Sequence, residues 1–248
     1  DDLQYIHNID AKKITIAGST QLSYVFDYLQ EKTEVVSSLP EPYIYMVATK
    51  GRKEMVSQEI DMINLVIGFL DSNDLPHSIV FRPYPNMGIE SQKIVDELIR
   101  NKRVIVDEYR GGDFIFTRDK VMDKYRKIDN SELVIHTGGT FGVEACLLSK
   151  VCLYFDFSES NLPSQERYPF YLNIRSVSNQ YHLRKYLRLA DKNVVTDEST
   201  LAEALEKLLI NKAVDSFSDY SRNVSTMFPI CAMSDVVDEF SRYPVNER

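Results

Sequence analysis

Apolar positions along the chain fall into two patterns that take turns. Short continuous runs read as strands buried on both faces, and longer stretches with apolar residues every three to four positions read as amphipathic helices. Residues 43–48 (YIYMVA) are the clearest run, and residues 52–70 follow as a helix with Met62, Ile63, Val66, Ile67 and Leu70 on one face. The alternation then continues. It predicts a strand at 78–82 (SIVFR) stopped by Pro83 and Pro85, and a helix over 89–101 on Ile94, Val95, Leu98 and Ile99. A strand at 104–107, a charged helix at 118–127 and a strand at 133–136 (LVIH) come next, with 113–116 as a further short strand. A short helix runs from Thr140 through Glu144 to Leu148, ahead of a strand at 151–155 (VCLYF). A brief last strand falls at 194–195, between helices at 179–189 and 199–210. Upstream, residues 13–17 (KITIA) read as a strand and 21–31 as a helix. The stretch 32–42, with Ser37, Ser38, Pro40 and Pro42, reads as the linker.

Five or six β-α repeats predict an α/β fold, an open parallel Rossmann-like sheet with helices on both faces. The expected organisation is an N-terminal or inter-domain segment at 1–39, a nucleotide-binding domain at 40–212 and a C-terminal helical extension at 213–248. In such a sheet ligands bind beyond the carboxyl ends of the strands. The segments to inspect are therefore 49–53, 82–86, 107–112, 136–142 and 156–161.

Composition narrows the function classes. The 248 residues are 44% hydrophobic and 27% charged, which is ordinary for a folded domain and excludes disorder. With 29 basic against 37 acidic residues the net charge is −8, so a nucleic-acid coat is excluded, while a local basic pocket for a small anion is allowed. No apolar run approaches the roughly 18 residues of a membrane span. No secretion leader is visible. The cysteines at 146, 152 and 231 form no CxxC, which argues against a disulfide framework or a zinc site and fits a reducing compartment. The first residue is Asp, as in a processed or excised chain.

Several chemistries lack their motifs. After the 43–48 run the chain reads Ala48-Thr49-Lys50-Gly51-Arg52-Lys53, with a single Gly where a dinucleotide fingerprint needs three. There is no GxxxxGK[ST] and no GxSxG, and His7, His77, His136 and His182 have no metal-ligand spacing.

One motif stands out. Residues 136–144 read His-Thr-Gly-Gly-Thr-Phe-Gly-Val-Glu, in the order strand, glycine-rich turn, helix. Glycines let the backbone come close to a ligand, and a helix starting near Thr140 aims its N–H groups at the turn, which makes an anion site. On this reading His136 sits at the mouth and donates to a phosphate oxygen. Thr140 caps the helix or donates its hydroxyl. Glu144, one turn further on and partly exposed, accepts from a ribose diol. The competing reading is tight packing, with His136 a satisfied core histidine. Arg82, beside two prolines, is a candidate for bidentate phosphate pairing. Lys50, Arg52 and Lys53 open the next helix, against its dipole, and are candidate counter-charges. Phe114 and Phe116 are candidates for the base, and Asp156 for the sugar.

The spacing His136-x-Gly138-x5-Glu144 resembles the donor signature of GT-B glycosyltransferases, HCGWNSxxE in the plant enzymes. There Gly139 and Thr140 replace Trp and Asn, and the downstream Asp-Gln is Ser160-Asn161. A nearer resemblance is to bacterial surface-polysaccharide transferases and teichoic-acid glycerophosphotransferases. It rests on GTFGVEACLLSK at 139–150, where Val151 takes a Pro position, and on Arg82-Pro83-Tyr84-Pro85, where Tyr84 replaces a His. The phrase Ile16-Ala17-Gly18-Ser19-Thr20-Gln21 resembles their inter-domain segment, so the resemblance covers about residues 13–210.

The resemblance implies the nucleotide-binding half of a metal-independent glycosyltransferase, moving a sugar from a nucleotide-sugar to an acceptor hydroxyl in polysaccharide biosynthesis. It implies His136, Gly138, Thr140 and Arg82 at the phosphates and Glu144 at the ribose; Gly139 of the turn and Arg52 at the helix start join the phosphate candidates from the reading of the residues. It assigns no catalytic residue, no metal and no cofactor, the nucleotide-sugar being a substrate. The implied partners are that donor, a saccharide or lipid-linked acceptor and an upstream acceptor-binding domain, with no nucleic acid. The implied place is the cytoplasm of a bacterium, peripheral at the inner face of the membrane. About 40 residues before Tyr43 do not hold a full acceptor domain. The chain is therefore expected to be truncated, or its acceptor half to lie elsewhere. The alternatives on the same fold are transfer of glycerol phosphate from CDP-glycerol, epimerisation of a UDP-sugar, or a non-catalytic nucleotide-binding domain.

Overall fold

In the computed structural model the continuous apolar runs become the strands of one sheet. The residues described are 20–32, 39–48, 51–85, 87–107, 117–157, 181–228, 230–232, 234–235 and 237–238. The chain divides into two compact units, Asp1–Thr33 with Pro229–Arg248, and Glu34–Phe228. Helix α1 (Thr20–Glu31) belongs to the first. The strand expected at 13–17, the phrase at 16–19, most of the linker, Thr49, Lys50, the strand expected at 113–116, and Ser160-Asn161 lie outside the described residues.

The second unit alternates strand and helix. Its elements are β1 (Tyr43–Val47), α2 (Lys53–Ser72), β2 (Ser78–Arg82), α3 (Ile89–Leu98), β3 (Val104–Val106), α4 (Arg118–Asn130), β4 (Leu133–His136), α5 (Thr140–Leu147), β5 (Cys152–Phe155), α6 (Tyr181–Leu187), β6 (Val194–Val195), α7 (Glu198–Leu205) and α8 (Asp215–Met227). Helix α7 starts on a capping box between Asp197 and Thr200, and it widens into a π-helical turn at Glu206–Ile210 where a plain helix is expected. All five strand pairings are parallel, and the order is β3-β2-β1-β4-β5-β6, the doubly wound Rossmann arrangement. Among the described residues no helix is long and apolar enough to cross a membrane.

Strand side chains alternate between two faces, and in parallel register the paired residues share a face. Ile44, Met46, Ile79, Phe81, Leu133, Ile135, Leu153 and Phe155 join the core formed with α2 and α7. Residues of the opposite phase carry rings and polar tips: Tyr43, Tyr45, His136 and Tyr154. On that side Tyr43 donates to the Lys127 carbonyl of α4, and Ser221 and Ser225 of α8 donate to the Lys150 and Cys146 carbonyls. Helix α8, which the sequence places in a C-terminal extension, is packed within the Glu34–Phe228 unit, with Phe217, Tyr220 and Val224 buried.

Candidate functional site

Because every strand runs the same way, the segments after β1, β2, β3 and β4 leave one edge of the sheet. The order reverses between β1 and β4, and the crevice at such a switch point is where open α/β sheets take ligands. The 137–139 turn leaves β4 at this point and opens α5. Gly138 has φ 92° and Gly139 φ 107° with ψ 169°, so both adopt backbone that side chains disfavour. Gly139 is the N-cap of α5 and provides no side-chain cap. Among the described residues a Cβ built on Gly139 would meet nothing within 4 Å, so there is open space beside this residue at the positive end of the helix. Thr140, the first residue of α5, is exposed.

His136 is not at the mouth of this space. It is 1% exposed, and its ring stacks on Tyr154 of β5 at 5.7 Å and on Tyr220 of α8 at 6.2 Å. The cause is strand phase: His136 pairs in register with Tyr154, and both point into the layer that α5 and α8 cover. Gly142 completes the enclosure, since a Cβ there would lie 2.7 Å from the imidazole Cε1 and Nδ1. Nδ1 accepts the Gly138 N–H at 3.2 Å, which leaves the ring proton on Nε2, a buried atom with no partner among the described residues. Burial lowers the pKa of His136 to about 3, so the ring is neutral. The Tyr186 hydroxyl, from α6, donates to the Gly139 carbonyl.

Arg82 is where the sequence expects it, at the end of β2, but its charge is already engaged. It donates to Asp107 Oδ2 at 2.6 Å, with Asp107 closing β3. Tyr45 donates to the same oxygen at 2.5 Å and Lys127 to Oδ1 at 2.5 Å. Burial alone would raise the Asp107 pKa, but Arg82, Lys127 and Tyr45 outweigh it and hold the carboxyl below its ordinary range. The ring of Tyr45 stacks on Phe141 in the first turn of α5, at 5.7 Å and 9°. One tyrosine thus ties the Arg82–Asp107 pair to the start of the helix.

Glu144 is buried, not partly exposed. Lys124 donates to Oε2 at 2.7 Å and Tyr125 to Oε1 at 3.3 Å, which joins α4 to α5. Lys124 keeps 12% side-chain exposure against 5% for Glu144. A carboxylate accepts up to about four hydrogen bonds, so both oxygens keep capacity. Arg52 is the exposed N-cap of α2, and Lys53 faces Glu90 at 3.5 Å on the surface. Asp156 accepts from Tyr154 at 3.4 Å. Phe114 and Phe116 lie outside the described residues. Among the described residues no group of three or more His, Cys, Asp or Glu is placed to hold a metal ion.

The structure therefore places Gly138, Gly139, Thr140, Arg82 and Arg52 along one sheet edge, with His136 beneath the turn and Glu144 inside the α4–α5 layer. Sequence reasoning placed Asp107 in a segment to inspect but gave it no role, and it passed over Tyr45, Lys124 and Tyr186. Asp107 had a signal, a carboxylate closing the strand beside the one that ends in Arg82. Tyr186 had none, being 47 residues from the carbonyl that it reaches.

No family model matches the chain, and no curated protein matches it. Solved structures do. A putative UDP-N-acetylglucosamine 2-epimerase of Listeria monocytogenes matches with a TM-score of 0.57 at 14% identity, covering 96% of this chain and 57% of that one. A variant of the wall teichoic acid polymerase TagF matches at 0.53 with 13% identity, over 96% and 53%. MnaA of S. aureus, in a co-structure with UDP, matches at 0.52 with 12% identity, over 87% and 49%. These neighbours have the GT-B fold, and the chain matches about half of it. At such identities the fold is what is shared, and the chain spans about half the length of these structures. The six-stranded parallel sheet with its helices corresponds to the Rossmann-like architecture of that fold.

Proposed function

We propose that this chain binds the nucleoside diphosphate of a nucleotide-sugar, and serves as the donor half of a GT-B enzyme that transfers the sugar to an acceptor hydroxyl in polysaccharide assembly. The observation that carries the reading is the 137–139 turn. Two glycines of positive φ form the turn that opens α5 at the topological switch point of the sheet, and the second of them, Gly139, has open space beside it, with Thr140 exposed next to it. Thr140 and the opening N–H groups of α5 take the phosphates. Arg82, held by Asp107, supplies positive charge on the same edge, and Arg52 a second cation at the start of α2. Their work is electrostatic, stabilising the charge that develops on the leaving phosphate as the glycosidic bond breaks. Glu144 accepts from the ribose hydroxyls.

Glycerol phosphate transfer is the second reading, because the TagF polymerase is among the structures that share the fold. Both readings place a nucleotide on the same turn and differ in what leaves with it. Isothermal titration with UDP, CDP, CMP and GDP, then with UDP-N-acetylglucosamine and CDP-glycerol, tests them. A dissociation constant in the micromolar range for one nucleoside diphosphate supports the site, and preference among the two donors separates the readings. Failure of all of them to bind refutes both.

A further inference from the structure

We propose that His136 and Tyr186 are positioning residues that lock the 137–139 turn from beneath, presetting the N–H groups of α5 toward a phosphate, and that His136 is not itself a phosphate ligand. The proposal rests on the nucleotide reading above and deepens it. A turn with two successive glycines is conformationally permissive, and its peptide groups rotate at little steric cost. Here two side chains remove that freedom. The imidazole Nδ1 takes the Gly138 N–H from the strand side, and the Tyr186 phenol holds the Gly139 carbonyl from α6. The Gly138 N–H is drawn inward and the Gly139 carbonyl, which also accepts the Gly142 N–H at 3.2 Å, is pinned, so both ends of the two-glycine turn are held before any anion arrives, which spares part of the ordering cost at binding.

The imidazole itself is out of reach of an anion. Tyr154 and Tyr220 stack on it, Gly142 brings the backbone of α5 against its edge, and the residue is 1% exposed. A histidine that donates to phosphate presents an N–H to the ligand. In this one the N–H is the buried Nε2, and the nitrogen nearest the turn is an acceptor. Its chemistry suits backbone fixation, and the acceptor role requires the neutral ring.

The variants His136→Asn, His136→Leu and Tyr186→Phe test this. Asn places Oδ1 where Nδ1 stands and so keeps the acceptor, whereas Leu keeps bulk alone. Two readouts are taken on the full chain: hydrogen exchange of the Gly138 amide without ligand, and affinity for inorganic pyrophosphate, UDP and CDP. The lock requires slow Gly138 exchange in the wild type and in His136→Asn, and exchange on the order of a hundred-fold faster in His136→Leu. It also requires pyrophosphate binding that is near wild type in His136→Asn and roughly ten-fold weaker in His136→Leu and Tyr186→Phe. If His136→Asn loses as much affinity as His136→Leu, Nε2 is the working atom and the proposal falls. If Gly138 exchanges freely in the wild type, there is no lock. A protected Gly138 in a wild-type chain that binds none of the three probes refutes the nucleotide reading and leaves the contacts as packing, which overturns the proposal too. Should His136→Leu fail to fold, Tyr186→Phe decides, since wild-type pyrophosphate affinity in that variant excludes a preset turn.

Discussion

Lowering the pH from about 7.5 to about 5 removes roughly 2 kcal/mol of folding stability through His136 alone. In the native state this imidazole is enclosed by Tyr154 from β5, Tyr220 from α8 and the backbone at Gly138 and Gly142, and its pKa is lowered to about 3. The two tyrosines are the titratable groups stacked on the ring, and burial raises the pKa of Tyr220, so that phenol stays neutral throughout this range. In the unfolded chain the ring titrates near about 6.5. As pH falls through that value the unfolded state takes up a proton that the native state refuses. Stability is therefore present above the unfolded pKa and lost below it. At about pH 5 the unfolded state gains RT ln(1 + 10^1.5), about 2 kcal/mol, and at about pH 7.5 less than about 0.1. The result depends little on the native value so long as this lies below about 4, because the unfolded titration sets the scale. Carboxylates also begin to titrate toward pH 5, so the quantity to measure is a double difference. Urea unfolding followed by far-UV circular dichroism gives stability at both pH values for the wild type and for His136→Asn. The wild type should lose about 2 kcal/mol more than the variant. A double difference below about 0.5 kcal/mol would mean that the ring takes up its proton in the folded state, and the buried neutral imidazole would be refuted.

Three further outcomes follow from the same geometry. Asp107→Asn leaves Arg82 and Lys127 without their shared carboxylate and should cost about 3–5 kcal/mol in urea unfolding, whereas a loss under about 1 would show that the two cations do not depend on it. Gly139→Ala meets no atom but is forced into a glycine conformation, so it should cost about 1–3 kcal/mol and lower the melting temperature. An unchanged melting temperature would show that the turn relaxes freely. Glu144→Ala strips Lys124 of its partner and should destabilise the fold by about 3 kcal/mol, so the ribose role is read on Glu144→Gln, where affinity for the best nucleoside diphosphate should fall roughly ten-fold. Wild-type affinity in Glu144→Gln removes the residue from the site.

The fold was legible in the sequence because its signals are local. Unbroken apolar runs at 43–47, 79–81, 133–135 and 152–155 are what strands covered on both faces require, and the helical spacing between them leaves a parallel sheet as the way to join them. The glycine turn was legible for a similar reason, since two positive-φ positions ahead of a helix call for glycine whatever surrounds them. What the side chains around the turn do was decided by tertiary structure. His136 ends its strand, and in the sequence that position reads as the mouth of a site. Strand phase and the approach of α5 at Gly142 turned the ring inward, against Tyr220, which lies 84 residues further along. Arg82 reads as an unpaired cation until β3 brings Asp107 beside it, and Glu144 reads as a free acceptor until α4 brings Lys124. A motif specifies a backbone shape, because φ and ψ are settled within a few residues. The charge and protonation of the groups on it depend on burial and on partners distant in sequence, and these exist only once the sheet and its helices have come together.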